Sequence, residues 1–372
     1  MALSGSSRGE AVPVEQVSAR AFTIPTEQKE SDGTYEWNDD TIVVVEAKAA
    51  GRTGVGYSYT QPGAREVVNG KLAGVVEGMD ALRVQAAWAS MLYQMRNFGQ
   101  TGIGAMAISA VDTALWDLKA RLLDVPIVVA LDGVHDSTPI YGSGGFTSYT
   151  PDELADQLRG WVDAGIPRVK MKTGRDPAAD GDRLRAARDA IGDDVELYVD
   201  ANGAFTRKQA LEWAGIYSDY RVKWFEEPVT SDDLEGLRLI RDSGPPGMDI
   251  AAGEYGWNPW YFQRMLDAGA VDCLQADVTR CLGFTGFLRV GAMCDARAID
   301  LSAHCAPQLS AQVCTAIWHL RHLEYFHDHV RIEHLVFDGC LEPEPGGALK
   351  PDRSRPGLGL DVKWSDIARW EA

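Results

Sequence analysis

Seven short segments in the second half of the chain each carry an apolar, strand-like run up to a chemically useful side chain. They are VKMK to Lys172, LYVD to Asp200, KWFE to Glu226, IAAGE to Glu254, CLQAD to Asp277, LSAH to His304 and HLE to Glu324. Successive steps of about 20 to 28 residues match one strand, one helix and two loops. Repetition of that unit leaves few folds open, because strands joined through helices pair in parallel and present their C-terminal ends on one edge. In a closed barrel that edge becomes a rim. Lysines, carboxylates and a histidine far apart in sequence would then share one mouth.

Eight candidate strands follow from Thr138: PIYGSG, RVKMK, ELYVD, VKWFE, DIAAG, VDCLQAD, IDLSAH and HLEYF. Amphipathic stretches such as Pro151 to Val162 and Gly283 to Ala296 separate most of them. No glycine-rich phosphate signature favours a nucleotide-binding open sheet, so a (β/α) barrel leads. Ahead of it, VEQVSARAF, TIVVVEAKA and TGVGYSYT predict a three-stranded antiparallel sheet between Val14 and Tyr59. The polar stretch TEQKESDGTYEWNDD between the first two strands is expected to be a loop, either a mobile flap or a solvated linker. Helical periodicity runs from Ala64 to Met95. It resumes from Ala105 to Leu123, where Ile108, Val111, Leu115, Leu118 and Leu122 recur at steps of three and four. The expected organisation is a disordered tail over 1–12, an α+β capping domain over 13–136, a barrel over 137–345, and a segment over 346–372 that returns to the cap.

At 372 residues, two domains or a barrel with an appendage is the natural size class. Lys plus Arg number 36 and Asp plus Glu 54, a net charge of −18. That charge repels phosphate backbones and anionic membrane surfaces, so nucleic acid and membrane are excluded as expected partners. The 6 cysteines all lie in the last third without a CxxC pair, which fits reduced core thiols in a cytoplasmic protein. No apolar run reaches signal-peptide or membrane length.

Asp200, Glu226 and Glu254 end three successive strands. Taken singly, each is better explained by a helix cap or a surface ion pair. Three converging carboxylates instead need a cation, and an all-oxygen set suits Mg²⁺ better than Zn²⁺. Asn202 and the neighbouring Glu227 can support that shell. Lys170 and Lys172 stand two apart on one strand and so share a face. An ammonium near a divalent metal has its charged form disfavoured, which suits a base for a weak carbon acid. Asp277 and His304 end adjacent strands, and an aspartate on one imidazole nitrogen fixes the tautomer and makes the other more basic. Glu324, if protonated, can hydrogen-bond a substrate. Arg280 is a candidate carboxylate binder, and Trp37, Tyr57 and Tyr59 are candidate cap aromatics, although packing is the ordinary explanation for aromatics. His319, His322, His327, His329 and His334 show no metal-type partner spacing.

With these residues in place the chain resembles the enolase superfamily, and within it the mandelate racemase subgroup, over nearly its whole length. The resemblance implies a modified (β/α)7β barrel of the TIM type with an N-terminal α+β capping domain. It implies that Lys172 in VKMKTG is the base of a KxK motif, with Lys170 beside it. Asp200, Glu226 and Glu254 become Mg²⁺ ligands, Asp277 and His304 a His-Asp dyad, and Glu324 the acid that hydrogen-bonds the substrate carboxylate. Muconate cycloisomerases and dipeptide epimerases place a lysine where this chain has Asp277, so the resemblance points away from those activities. The implied reaction is abstraction of the proton α to a carboxylate, with Lys172 and His304 on opposite faces of the substrate. Dehydration of a sugar acid to a 2-keto-3-deoxy acid is the favoured expectation, racemisation or epimerisation of a 2-hydroxy acid is the alternative, and a non-catalytic metal-binding barrel is a remote third. A homo-oligomer is also expected.

Overall fold

The computed structural model describes residues 11–372. Most of the expected N-terminal tail therefore lies outside the described residues. Val12 is already engaged, its N–H donating to Asp80 Oδ1 and its carbonyl accepting from Ala81.

Strands β1 (Gln16–Ser31), β2 (Glu36–Ala49) and β3 (Arg52–Tyr59) form the antiparallel cap sheet in the order β1-β2-β3. Alternation of buried and less buried residues along β1 turns one face toward the core. Through β3 and β2 the sheet meets the helix Ile103–Leu123, which is buried almost all round, as expected of a helix packed on several sides. The approach is close: a Cβ added at Gly56 would lie 2.3 Å from the Ala110 carbonyl oxygen, so only glycine fits there. The helical region expected over Ala64 to Met95 is broken. It runs as Gly63–Val67, a π turn at Val68–Leu72, Ala73–Val76 and then Val84–Met95, with Gly78 at φ 84° in the gap.

The expected loop over residues 26–40 is not a loop. β1 and β2 continue through it as a twisted hairpin, pairing Glu30 with Trp37 and Ser31 with Glu36 after a register shift. Polar side chains masked the strand pattern: Glu27, Gln28, Lys29, Glu36, Asn38 and Asp39 are exposed, and the buried residues Glu30, Ser31 and Asp32 are polar too. The hairpin tip docks on the barrel, where the Thr147 N–H donates to the Ser31 carbonyl (2.8 Å) and Thr34 Oγ1 donates to the Asn202 carbonyl (3.3 Å). A Cβ at Gly33 would fall 2.2 Å from the Ala201 carbonyl oxygen, so glycine permits this seating.

The barrel strands are β4 (Thr138–Gly144), β5 (Arg168–Lys172), β6 (Glu196–Asp200), β7 (Val222–Glu226), β8 (Asp249–Ala252), β9 (Cys273–Ala276), β10 (Asp300–Ala303) and β11 (Leu320–Phe326). Each pairs in parallel with the next, and β11 pairs with β4 to close the ring. A helix follows every strand from β4 to β10, giving the expected (β/α)7β arrangement, and His327–Val336 extends it after β11. The C-terminal segment returns to the cap: Ala372 N–H donates to the Ala21 carbonyl, and Trp364 packs 6.1 Å from Phe22. Among the described residues no helix is long and apolar enough to cross a membrane. All six cysteines are free, and five are buried.

Candidate active site

Parallel register sets the site. Lys172 pairs with Asp200 and Asp200 with Glu226, so three charged residues stand level on neighbouring strands. Barrel closure pairs Glu324 with Tyr141 and brings β11 beside β4, one strand from Lys170. The Lys170 ammonium is fully buried and lies 2.5 Å from Glu226 Oε1, 2.8 Å from Glu324 Oε1 and 3.4 Å from Asp200 Oδ2. Lys172 Nζ lies 2.5 Å from Asp200 Oδ2. Trp224 Nε1–H donates to Glu226 Oε2, and Ser143 Oγ–H to Glu324 Oε1.

Glu254 follows β8 by two residues, and its carboxylate completes the trio: one oxygen each from Asp200, Glu226 and Glu254 lies within 4.8 Å of the others. Three buried atoms around this trio have no hydrogen-bond partner: Glu254 Oε2, Glu227 Oε1 and Asn202 Oδ1. Buried polar atoms are normally paired, so unpaired oxygens turned on a carboxylate trio fit a hard divalent cation. The backbone there is unusual as well. Asn202 at φ 46°, Glu227 at φ 39° and Cys305 at φ 50° are left-handed without being glycine, each one or two residues past a candidate group. Such conformations cost about 1 kcal/mol or more and persist where surrounding structure enforces them.

Across the mouth, His304 Nδ1 is 2.8 Å from Asp277 Oδ2. Asp277 also accepts from the Thr279 N–H and hydroxyl and has Arg280 Nε at 3.4 Å. Burial would raise this carboxyl, but His304, Arg280 and Thr279 hold it down at about 2, so it is an anion that orients the imidazole. His304 Nε2 faces the cluster, 3.3 Å from Glu254 Oε2 and 3.5 Å from Glu324 Oε2.

The side chains alone set two further charges. Burial alone would lower Lys172, but Asp200 outweighs it and the ammonium is raised above its ordinary range. A depressed lysine there requires positive charge in the cluster beyond that of the two lysines. Glu324, expected to act protonated, is instead held well below the usual carboxylate range: burial would raise it, and Lys170, His304 and Lys172 overcome that. Asp200 is likewise brought down to about 2, against burial, by Lys172 and Lys170.

A cavity of about 770 Å³ opens over these groups, walled by the hairpin, the start of the helix Ile103–Leu123 and the strand ends. Lys172, Asn202, Glu254, Arg280, His304 and Glu324 line it, as do Trp37 and Tyr59 from the cap. Arg280 Nη1–H also donates to the Glu254 carbonyl. Tyr57 does not reach the cavity. It is fully buried, and its hydroxyl donates to Glu333 Oε1 at 2.5 Å. Tyr57 and Tyr59 point the same way from β3, so sequence could not separate them. Tyr59 stacks on His329 with ring centroids 3.4 Å apart. Asp39, Asp40, Tyr255, Cys305 and His329 also line the cavity and were not anticipated. Direct adjacency of Cys305 to His304 and of Tyr255 to Glu254 was the one available signal. Cys305 Sγ lies 3.3 Å from His304 Nε2 and 3.2 Å from Glu324 Oε2.

Comparison with known proteins agrees with this geometry. Residues 28–131 match the mandelate racemase / muconate lactonizing enzyme N-terminal domain, and residues 153–366 match the enolase C-terminal domain-like family. A 3,6-anhydro-α-L-galactonate cycloisomerase of Streptomyces coelicolor is 31% identical over 94% of this chain and 98% of its own. An arabinonate dehydratase of Saccharolobus solfataricus is 30% identical over 75% of this chain and 76% of its own. The crystal structure of a mandelate racemase/muconate lactonizing enzyme-like protein from Rubrobacter xylanophilus superposes with a TM-score of 0.95 at 56% identity, covering 97% of this chain and 100% of that one. A racemase from Streptomyces coelicolor, solved with bound magnesium, gives 0.90 at 29% identity, covering 96% and 100%. With both family models matched in order and the barrel-end residues converged, the chain belongs to the enolase superfamily, in its mandelate racemase and muconate lactonizing enzyme branch.

Proposed function

We propose that this protein is a Mg²⁺-dependent acid sugar dehydratase, which removes the α-proton and the β-hydroxyl of a sugar acid to give a 2-keto-3-deoxy acid. The observation that carries the reading is that Lys172 and oriented His304 open into one cavity from β5 and the end of β10, with the carboxylate trio between them. Asp200, Glu226 and Glu254 would hold the ion, and Mg²⁺ bound there would stabilise negative charge developing on the substrate carboxylate. Lys172 takes the α-proton. Lys170, braced by Glu226 and Glu324, stays cationic and adds to that stabilisation. His304, held by Asp277, passes a proton from Nε2 to the departing hydroxyl, so that it leaves as water. Arg280, in the cavity wall, would orient the substrate, and Asn38, Asp39, Gln61 and Glu36 would meet a polyhydroxylated chain. An arabinonate dehydratase among the relatives supports this choice, and a magnesium-bound relative supports the ion.

The test is incubation of the Mg²⁺-loaded protein with a library of mono- and diacid sugars in D₂O. Semicarbazide absorbance should report a 2-keto acid, and mass spectrometry should report loss of one water. Chelation should abolish the signal and Mg²⁺ restore it. Stereoinversion with α-deuterium and no keto product, on the acid turned over fastest, would make the protein a racemase or epimerase. A product that differs from its substrate in mass only by solvent deuterium and is not the epimer would make it a cycloisomerase.

A further inference from the structure

A second group of convergent ligands lies outside the cluster described above, where the cap hairpin meets the end of β11. Glu30 comes from β1, while His327 and Asp328 open the helix His327–Val336. One donor atom from each lies within 4.8 Å of the others. Glu30 and Asp328 have no exposed surface, yet Glu30 Oε2 and Asp328 Oδ1 have no hydrogen-bond partner. Asp40 Oδ2, next to them, is also unpartnered. The contacts that do exist are few: Tyr149 OH lies 3.5 Å from Glu30 Oε1, and Trp37 Nε1–H donates to Asp328 Oδ2 at 3.3 Å.

Charge points the same way. Three carboxylates, Glu30, Asp40 and Asp328, act on one another here, opposed by Arg331 and, at Asp40, also by Arg280. The Arg331 guanidinium donates to the Pro25 carbonyl, and its Nε has no partner. Three crowded carboxyls cannot all ionise here, because buried charge without a partner is expensive, and a dication would take the place of the protons that keep them neutral. Burial and a hydrogen bond shared with Asp328 push Glu30 up to about 10, so the pair holds a proton that a bound cation would displace. On the outer side, Glu27 Oε2 lies 3.1 Å from His327 Nε2. A carboxylate on one imidazole nitrogen leaves the other as a lone-pair donor, the usual support of a metal-bound histidine.

We propose that Glu30, His327 and Asp328 form a second divalent-cation site that fastens the β1–β2 hairpin to the barrel. Two carboxylates and one imidazole suit a borderline ion of the Mn²⁺ or Zn²⁺ class better than Mg²⁺. Because Asp328 also receives Trp37, which walls the cavity, occupancy of this seam fixes one side of the substrate space.

The test is equilibrium dialysis of Mn²⁺ against the chelator-stripped full chain, with folding checked by circular dichroism. The parent should bind about two Mn²⁺ per chain, and Glu30→Gln and His327→Asn about one each. Asp200→Asn, which removes a ligand of the other cluster, should keep the seam ion. In that variant Mn²⁺ should slow amide hydrogen exchange in residues 27–37, and the added Glu30→Gln should abolish the slowing. Binding unaffected by Glu30→Gln and His327→Asn, with no change in hairpin exchange, would overturn the proposal and leave a proton shared between Glu30 and Asp328 as the account. Loss of binding on Asp200→Asn reports separately on the active-site ion, so failure of either assignment is seen without the other.

Discussion

At the scale of single residues, the site depends on which charge faces which. Asp277 is a fixed anion surrounded by donors, and its one imidazole partner is the group assigned to protonate the leaving hydroxyl. Asp277→Asn keeps the shape and removes the charge, and its amide presents a donor in place of one acceptor oxygen. Turnover to keto acid should fall about 10- to 100-fold, the usual cost of losing an orienting partner. Lys172 keeps Asp200 as its neighbour, so α-proton exchange with D₂O should survive in the variant. Measuring both rates on one substrate checks this, and parallel loss of both would contradict separate roles for Lys172 and His304.

At the scale of elements, buried polar contacts help join the cap to the barrel. Glu333, on the helix His327–Val336, accepts from Tyr57 of β3 and from the Gln308 N–H. Burial pushes its carboxyl up to about 8, although both hydrogen bonds work against the shift. In the unfolded chain the group titrates near 4.3. The folded protein therefore binds the extra proton between about pH 4 and 8. Stability from this group is complete below the lower value and is lost as pH rises through the upper one, at up to about 1.4 kcal/mol per pH unit. Glu333→Gln should remove that slope. Urea midpoints of parent and variant across pH 5 to 8 should converge, or cross in the variant's favour, as pH rises. A constant difference would show that Glu333 does not titrate in this range.

At the scale of the whole molecule, the cap sheet and the C-terminal segment close on each other. Asp117, buried in the helix Ile103–Leu123, accepts from the Val55 N–H, Arg121 and the Leu358 N–H, and so holds the cap sheet and the C-terminal segment together. Further along, Arg20 lies over the Trp364 ring at 4.8 Å and Phe22 packs against it. Trp364→Ala loses the ring pair and the cation–π contact, a cost of at least about 1 kcal/mol before burial is counted. Since those contacts are made to β1 and not to barrel strands, exchange in β1 should rise on substitution while β6 and β7 stay protected. Uniform loss of protection would mean that cap and barrel unfold as one unit.

Much of this was legible along the chain because it repeats locally. A period of strand, helix and two loops fixed the barrel, and the residue at each strand end needed no knowledge of its neighbours. Lys172, Asp200 and Glu226 could be aligned from sequence because consecutive parallel strands share a register. Tertiary structure alone decided what depends on contacts between distant segments. Closure of β11 on β4 set Lys170 against Glu324 and made that glutamate an anion. Docking of the hairpin turned an expected polar loop into a buried seam. A single partner, Glu333, took Tyr57 out of the cavity while Tyr59, two residues on and equally aromatic, stayed in its wall. Spacing is a property of the backbone and is written in the order of residues. Charge state and exposure depend on which side chains a closed fold brings within a few ångströms, and no local pattern carries that.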